Sequence, residues 1–248
     1  MKAGKKQRLD QRLIELGLAE HPAKALALIM AGQVLVDEQL ASKAGQLVRN
    51  DAVIRLKGQR RFVSRGGEKL WGAIHDFEIL EKLEHAVVLD IGSSTGGFTD
   101  CCLQLGALKV FAVDIGTNQL DWKLRQDPRV QVFEQTDVRH LPAPLDMDIN
   151  FIVADISFNS LERLLPDIIR AAPAQNVHFL LLVKPQFELS AEEVPAGGVV
   201  DSPKLQEQAM AKVKQRMELL GLEFLGFRKA RLKGRSGNQE FFVLAKNS

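Results

Sequence analysis

The sequence predicts an α/β protein in which a doubly wound, mostly parallel sheet is covered by helices on both faces and preceded by a small α+β unit. Three observations carry this reading. From residue 86 onward short apolar runs alternate with helical patterns, as happens when the crossovers of a parallel sheet are helices. The opening segment has a different order, two helical patterns followed by short strands. Charge changes sign between the two: residues 1–70 hold 14 Lys and Arg against 7 Asp and Glu, whereas the rest holds 19 against 24.

In the front unit Leu9, Leu13, Ile14 and Leu16 follow helical spacing over residues 8–17, and Gly17 ends the run. A second helix fits Pro22 to Ala31, with Pro22 suited to a first helical position and Gly32 just past the end. Val34–Val36 and Ala52–Leu56 read as short strands. Residues 1–58 form this unit, 59–64 a polar linker and 65–248 the second domain. The second domain opens with a helix carrying Lys69, Leu70, Ala73 and Ile74. It continues through run Ala86–Ile91, helix from Gly97, run Val110–Val113, helix from Asn118, runs Val130–Phe133 and Phe151–Ala154, helix from Leu161, run Val177–Val183, helix Lys204–Leu220 and strands near Phe224 and Phe241. Trp71 and Trp122 fall on helices and are expected in the core. Residues 186–202 carry no periodic element; a loop of this length in a compact domain is usually functional, and Gly197-Gly198 offers a hinge about which it is expected to close over a ligand.

Composition narrows the function. No apolar stretch approaches the roughly 18 residues of a membrane helix. Met1–Arg8 is not followed by the apolar segment of a secretory signal, so a cytoplasmic location is expected. Cys101 and Cys102, adjacent on a predicted helix, read as buried thiols. His21, His75, His85, His140 and His178 lack metal-ligand spacing, and no metal is expected. A monomer is the expected state. A basic front on an acidic body suits polyanion binding delegated to one region, although a solvated charged surface produces the same pattern.

The segment Asp90-Ile91-Gly92-Ser93-Ser94-Thr95-Gly96-Gly97-Phe98-Thr99-Asp100 lies where the first strand of the large domain gives way to its first helix, the ligand-binding edge of such a sheet. Its glycines permit a tight turn, and Asp90 suits an ammonium group such as a methionyl amine. The loop lacks the Gly-Lys-Ser/Thr ending of a phosphate loop, and its acidic start opposes pyrophosphate, which argues against a nicotinamide dehydrogenase. Asp114 ends the second strand, placed for ribose hydroxyls, and Asp137 follows the third, placed for an adenine amino group. Three acids at three successive strand ends describe a nucleoside pocket without phosphate.

Seven motifs in order then identify a resemblance that spans essentially the whole chain: Arg8-Leu9-Asp10, Ser64-Arg65-Gly66-Gly67-Glu68-Lys69-Leu70, the Asp90–Asp100 loop, Gln119-Leu120-Asp121-Trp122-Lys123-Leu124-Arg125, Ala154-Asp155-Ile156-Ser157-Phe158, Lys184-Pro185-Gln186-Phe187-Glu188 and Gly237-Asn238-Gln239-Glu240-Phe241. The chain resembles the haemolysin-A or TlyA-type methyltransferases, in which an S4 RNA-binding domain precedes an FtsJ-like catalytic domain of the Rossmann-like class. The resemblance implies S-adenosylmethionine as cofactor, ribosomal RNA or a ribosomal subunit as partner, and methylation of cytidine ribose 2′-hydroxyls. It implies a catalytic tetrad of Lys69, Asp155, Lys184 and Glu240, with Lys184 as general base. Cofactor contacts are expected from Asp90, Gly92, Ser94, Gly96, Gly97, Phe98, Asp114, Ile115, Asp137 and Val138, and RNA contacts from Arg8, Arg12, Lys24, Arg65 and Arg139. The chain resembles the shorter class of the family, which modifies the large subunit. The bottom-up reading supports the same tetrad, because Lys184 and Asp155 directly follow apolar runs and charged groups there are costly unless paired or functional.

The sequence departs from the family pattern in three places. His21-Pro22 stands where Ser-Arg usually opens the second front helix. Asp137 and Gln135 replace the usual Asn and Arg, and the loop after residue 186 carries Glu192 and Glu193 in place of basic residues. The alternatives are a noncatalytic RNA-binding assembly factor and a membrane-active haemolysin, the latter opposed by the missing spanning segment.

Overall fold

The computed structural model describes residues 6–37, 39–41, 43–50, 52, 54–58, 61–141, 148–171 and 174–247. The chain divides into two compact units at residue 61/62. Residues 59 and 60 of the expected linker lie outside the described residues. Of the remainder, Arg61 ends the smaller unit and Phe62 to Ser64 fold with the larger: Phe62 is buried, the Val63 amide donates to Asp100 Oδ2 at 2.8 Å, and the Ser64 hydroxyl accepts from the Gly66 amide at the head of a helix.

The smaller unit contains β1 (Lys6–Arg8), α1 (Leu9–Glu15), α2 (Pro22–Met30), β2 (Val34–Val36), β3 (Gln39–Leu40), β4 (Leu47–Arg49) and β5 (Ile54–Leu56). Leu9, Leu13, Ala25, Leu28 and Ile29 turn inward from the two helices onto Val34, Val48 and Ile54. Strand β1 pairs with β4, and β2 lies between β3 and β5, all antiparallel. His21 takes over the capping role of the missing serine, its Nδ1 accepting the Lys24 amide at 3.2 Å, which satisfies one orphan donor at the start of α2.

The larger unit follows with α3 (Arg65–Asp76), β6 (Val87–Ile91), α4 (Gly97–Gln104), β7 (Lys109–Val113), α5 (Trp122–Arg125), β8 (Val130–Phe133), β9 (Phe151–Ala154), α6 (Leu161–Arg170), β10 (His178–Val183), α7 (Pro185–Glu188), α8 (Pro203–Leu219), β11 (Glu223–Lys229) and β12 (Phe241–Lys246). The sheet order is β11-β12-β10-β9-β6-β7-β8. Strands β6 to β10 are parallel, and β12 runs antiparallel between β10 and β11. Chain order reverses between β6 and β9, the topological switch at which such sheets bind ligands.

Each sheet face builds its own core, as continuous apolar strands require. Leu89, Val113, Ile152, Leu181 and Val243 face Leu165 of α6 and Val213 of α8. Val88, Ala112, Val153, Leu182 and Phe242 face Leu70 of α3 and Phe98 and Cys102 of α4. By that alternation Asp90, Asp155, Lys184 and Glu240, at or just beyond strand ends, belong to the α3/α4 face.

Two expectations are corrected. Trp122 is 70% exposed, because the helix expected from Asn118 is only the single turn α5 and does not cover it. The segment 186–202 begins inside a helical turn, α7, whose Glu188 carboxylate accepts from Ser160 Oγ, the Leu161 amide and the Glu162 amide at the head of α6. The same segment is held near its other end by Asn238, which donates to the Gly198 carbonyl and accepts from the Val200 amide, both at 2.8 Å.

Candidate active site

The loop after β6 is shaped by close packing. Gly92 has φ +78°, and a Cβ there would lie 2.8 Å from the Asp155 carbonyl oxygen, so only glycine lets the turn pass the end of β9. A Cβ on Gly97 would meet Ser64 Oγ at 2.2 Å and the Gly67 amide at 2.8 Å; this glycine admits the head of α3. Gly96 caps α4 at φ +91°. Phe98, expected at the cofactor, is buried in the core with its ring 5.9 Å from Phe242.

Three acids sit around this loop. Asp90 is fully buried; its Oδ2 accepts from Thr99 Oγ1 at 2.6 Å, while its Oδ1 has no hydrogen-bond partner among the described residues. Burial pushes its carboxyl up to about 7, against the Thr99 hydrogen bond and with help from the negative charges of Asp155 and Asp114. Asp114 Oδ2 accepts the Ser94 amide at 2.8 Å and Oδ1 the Gly116 amide at 2.6 Å, which ties the end of β7 to the glycine loop and leaves one lone pair on each oxygen. Asp137 caps the turn Val138–His140 and pairs with Arg139 at 2.6 Å, and that guanidinium holds its carboxyl down at about 2. Val138 is buried, and Ile115 beside Asp114 is 68% exposed. A buried carboxylate oxygen lacking a donor is costly, and an ammonium-bearing ligand at this edge would satisfy it. On that count the residues present fit an aminoacyl nucleoside such as S-adenosylmethionine.

The four residues expected to act together form two ion pairs. Lys184 Nζ lies 2.6 Å from Asp155 Oδ1 and donates to Ser157 Oγ at 2.6 Å. Lys69 Nζ, reaching from α3, donates to Glu240 Oε2 at 2.5 Å. The pairs are neighbours in the sheet: Val183 faces Phe241 across β10 and β12, so Lys184 and Glu240 follow at the next rung, and Leu181 faces Ala154 across β10 and β9.

Of the cations expected to meet RNA, four are engaged within the chain. Arg8 pairs with Asp10 at 2.6 Å, Arg12 with Glu15 and the Asn50 carbonyl, Arg65 donates to the Lys233 carbonyl at 2.7 Å, and Arg139 pairs with Asp137. Lys24 is exposed. Sequence reasoning missed Thr99, Ser157, Phe158 and Asn238. Phe158, with φ +66° and 88% exposure, is an apolar ring in the open three residues after Asp155. All four lay inside quoted motifs, where a polar or aromatic residue close to a strand end was the available signal.

Residues 62–247 match the family model described as FtsJ-like methyltransferase. The chain is 39% identical over 242 residues to the 16S/23S rRNA (cytidine-2′-O)-methyltransferase TlyA of Mycobacterium tuberculosis, covering 96% of this chain and 89% of the relative. A solved structure of a supposed hemolysin from Streptococcus thermophilus is 36% identical with a TM-score of 0.72, covering 99% of this chain and 90% of the other. Fibrillarin of Aeropyrum pernix, solved with natively bound S-adenosyl-L-methionine, shares the fold at 13% identity and TM-score 0.52, over 80% and 92% of the two chains. No helix among the described residues is long and apolar enough to cross a membrane.

Proposed function

The chain belongs to the FtsJ-like methyltransferases, with TlyA-type relatives along nearly its whole length, and from that premise we propose that it uses S-adenosylmethionine to methylate cytidine ribose 2′-hydroxyls in ribosomal RNA, the large-subunit RNA above all. The observation that carries the reading is the Lys184–Asp155 pair, standing one strand away from the buried, donor-less oxygen of Asp90. S-adenosylmethionine, when bound, supplies a methyl group on a sulfonium centre that a hydroxyl oxygen can attack with little further activation. Asp90 Oδ1 would hold the ammonium group and Asp114 the ribose hydroxyls. Asp137, already committed to Arg139, would have only its remaining lone pairs for the adenine.

Lys184 takes the proton from the ribose 2′-hydroxyl, and Asp155 orients the amine. Glu240 fixes Lys69 at the neighbouring strand end, where the ammonium offers its remaining N–H groups to the ribose. A nucleotide must leave its stack to bring a 2′-hydroxyl to this edge, and the exposed Phe158 ring offers a face for an unstacked base. The smaller unit, S4-like by resemblance, contributes phosphate affinity. Transfer of a labelled methyl group from S-adenosylmethionine to unmethylated ribosomal RNA or subunits, with 2′-O-methylcytidine as product, tests the reading. RNA binding without transfer, or transfer undiminished in Lys184→Ala, contradicts it.

A further inference from the structure

Ser157 is unused by the scheme above, yet it touches the amine on which that scheme depends. Lys184 Nζ donates to Ser157 Oγ at 2.6 Å and stands 2.6 Å from Asp155 Oδ1, an ion pair in which that oxygen takes no directed hydrogen bond. Both partners come from the segment that leaves β9, whereas Lys184 leaves the adjacent strand β10, so the contact spans two strand ends. A neutral primary amine carries two N–H bonds and one lone pair in tetrahedral array. Without a directed bond the group turns freely about the Cε–Nζ bond. One directed bond, to Ser157, pins that rotation and leaves the lone pair two directions, between which the Asp155 charge discriminates by drawing the second N–H toward it. The chain then turns sharply, with Phe158 at φ +66°, a conformation costly for a bulky side chain and retained where surrounding structure imposes it.

We infer that Ser157 is a positioning residue for methyl transfer: its hydroxyl oxygen takes one N–H of the Lys184 amine and pins its rotation, so that with the Asp155 charge beside it the lone pair is aimed at the ribose hydroxyl. This rests on the reading of Lys184 as base. In the step it serves, the ribose O–H proton passes to Nζ, the bond from oxygen to methyl forms, and the bond from methyl to sulfur breaks with its electron pair left on sulfur. Asp155 supplies the opposing charge and Ser157 the directed bond. The charged groups nearby include Asp90 on β6, Asp114 after β7, Asp137 after β8 and the Lys69–Glu240 pair from α3 and the start of β12. A change at Ser157 leaves all of them in place.

The test measures transfer to unmethylated ribosomal RNA across pH for the full chain and for Ser157→Ala, Ser157→Thr and Lys184→Ala. Misaiming a reacting group costs up to about 100-fold, so Ser157→Ala is expected to lower kcat by about 10- to 100-fold with KM for both substrates within about twofold. Ser157→Thr, which keeps the hydroxyl, restores kcat, and melting temperature and cofactor affinity stay those of the parent. The inference is overturned by a Ser157→Ala enzyme with parental kcat, by a loss that falls on KM instead of kcat, or by a loss that tracks the melting temperature and is not restored by threonine. Activity in Lys184→Ala marks failure of the base assignment itself. An inactive Lys184→Ala beside a normal Ser157→Ala marks failure of this inference alone.

Discussion

The two lysine–carboxylate pairs stand at neighbouring strand ends of one sheet edge, yet they are built differently. Lys69 and Glu240 have side chains only 10% and 4% exposed and meet at 2.5 Å, so the pair is closed and joins α3 to the start of β12. Lys184 and Asp155 meet at nearly the same distance, but the Asp155 side chain is 25% exposed and the amine is shared with Ser157. A closed pair left without one partner strands a buried charge. An open pair can exchange a partner for a substrate. In the proposed mechanism the first pair organises the edge, and the second is where the proton moves.

Substitutions separate these roles. The largest effect is expected from Lys184→Ala, which should reduce methyl transfer by about 100- to 10,000-fold with little change in melting temperature; a loss explained by unfolding would erase the contrast. Glu240→Gln should lower unfolding free energy by about 3 kcal/mol, read from urea denaturation, because the Lys69 ammonium remains buried without its counter-charge. If both variants lose the same stability, the pairs are not different in kind.

Asp90 sharpens the comparison as a buried acid with no cation paired to it among the described residues. Its folded-state carboxyl lies at about 7, raised from 3.8 mainly by burial. As pH falls below 7 the carboxyl group becomes protonated and must lose that proton before it can hold an ammonium group, so cofactor Kd should rise about tenfold per pH unit there, measurable by titration calorimetry. The stability sign follows from the same shift. Between 3.8 and about 7 the folded chain keeps a proton that the unfolded chain has lost, so rising pH destabilises the ligand-free protein through that window. Asp90→Asn should accordingly raise the melting temperature at pH 8 while weakening cofactor binding. A lower melting temperature would show that the ionised carboxylate has a partner. The smallest effect is expected in the front unit, where Lys24→Glu should weaken RNA binding a few-fold and reduce the salt slope by about 1.

Much of the larger unit was legible because its strands are apolar on both faces and its helices begin at capping or glycine positions. Val34–Val36, Val110–Val113, Val130–Phe133 and Phe151–Ala154 are strands as expected. Short elements were not: β1, β3 and β4 span two or three residues each, too few for a period to declare itself. Trp122 read as core because an aromatic on a helical pattern usually is, and nothing local announced that α5 stops after one turn. His21-Pro22 read only as a departure from the usual Ser-Arg, and it took the distance from the His21 ring to the Lys24 amide to show that the residue caps its helix.

By itself the chain order determined the fold class, the glycine turn and the charged residues at strand ends, because strand and helix periods are written in consecutive side chains. Only the tertiary structure decided that Lys69 meets Glu240 and Lys184 meets Asp155 and Ser157, that one oxygen of Asp90 is left without a donor, and that Gly97 serves the head of α3. Those outcomes depend on strand register and on which face each helix covers. Both are set when distant segments pack, and neither is a property of any one segment.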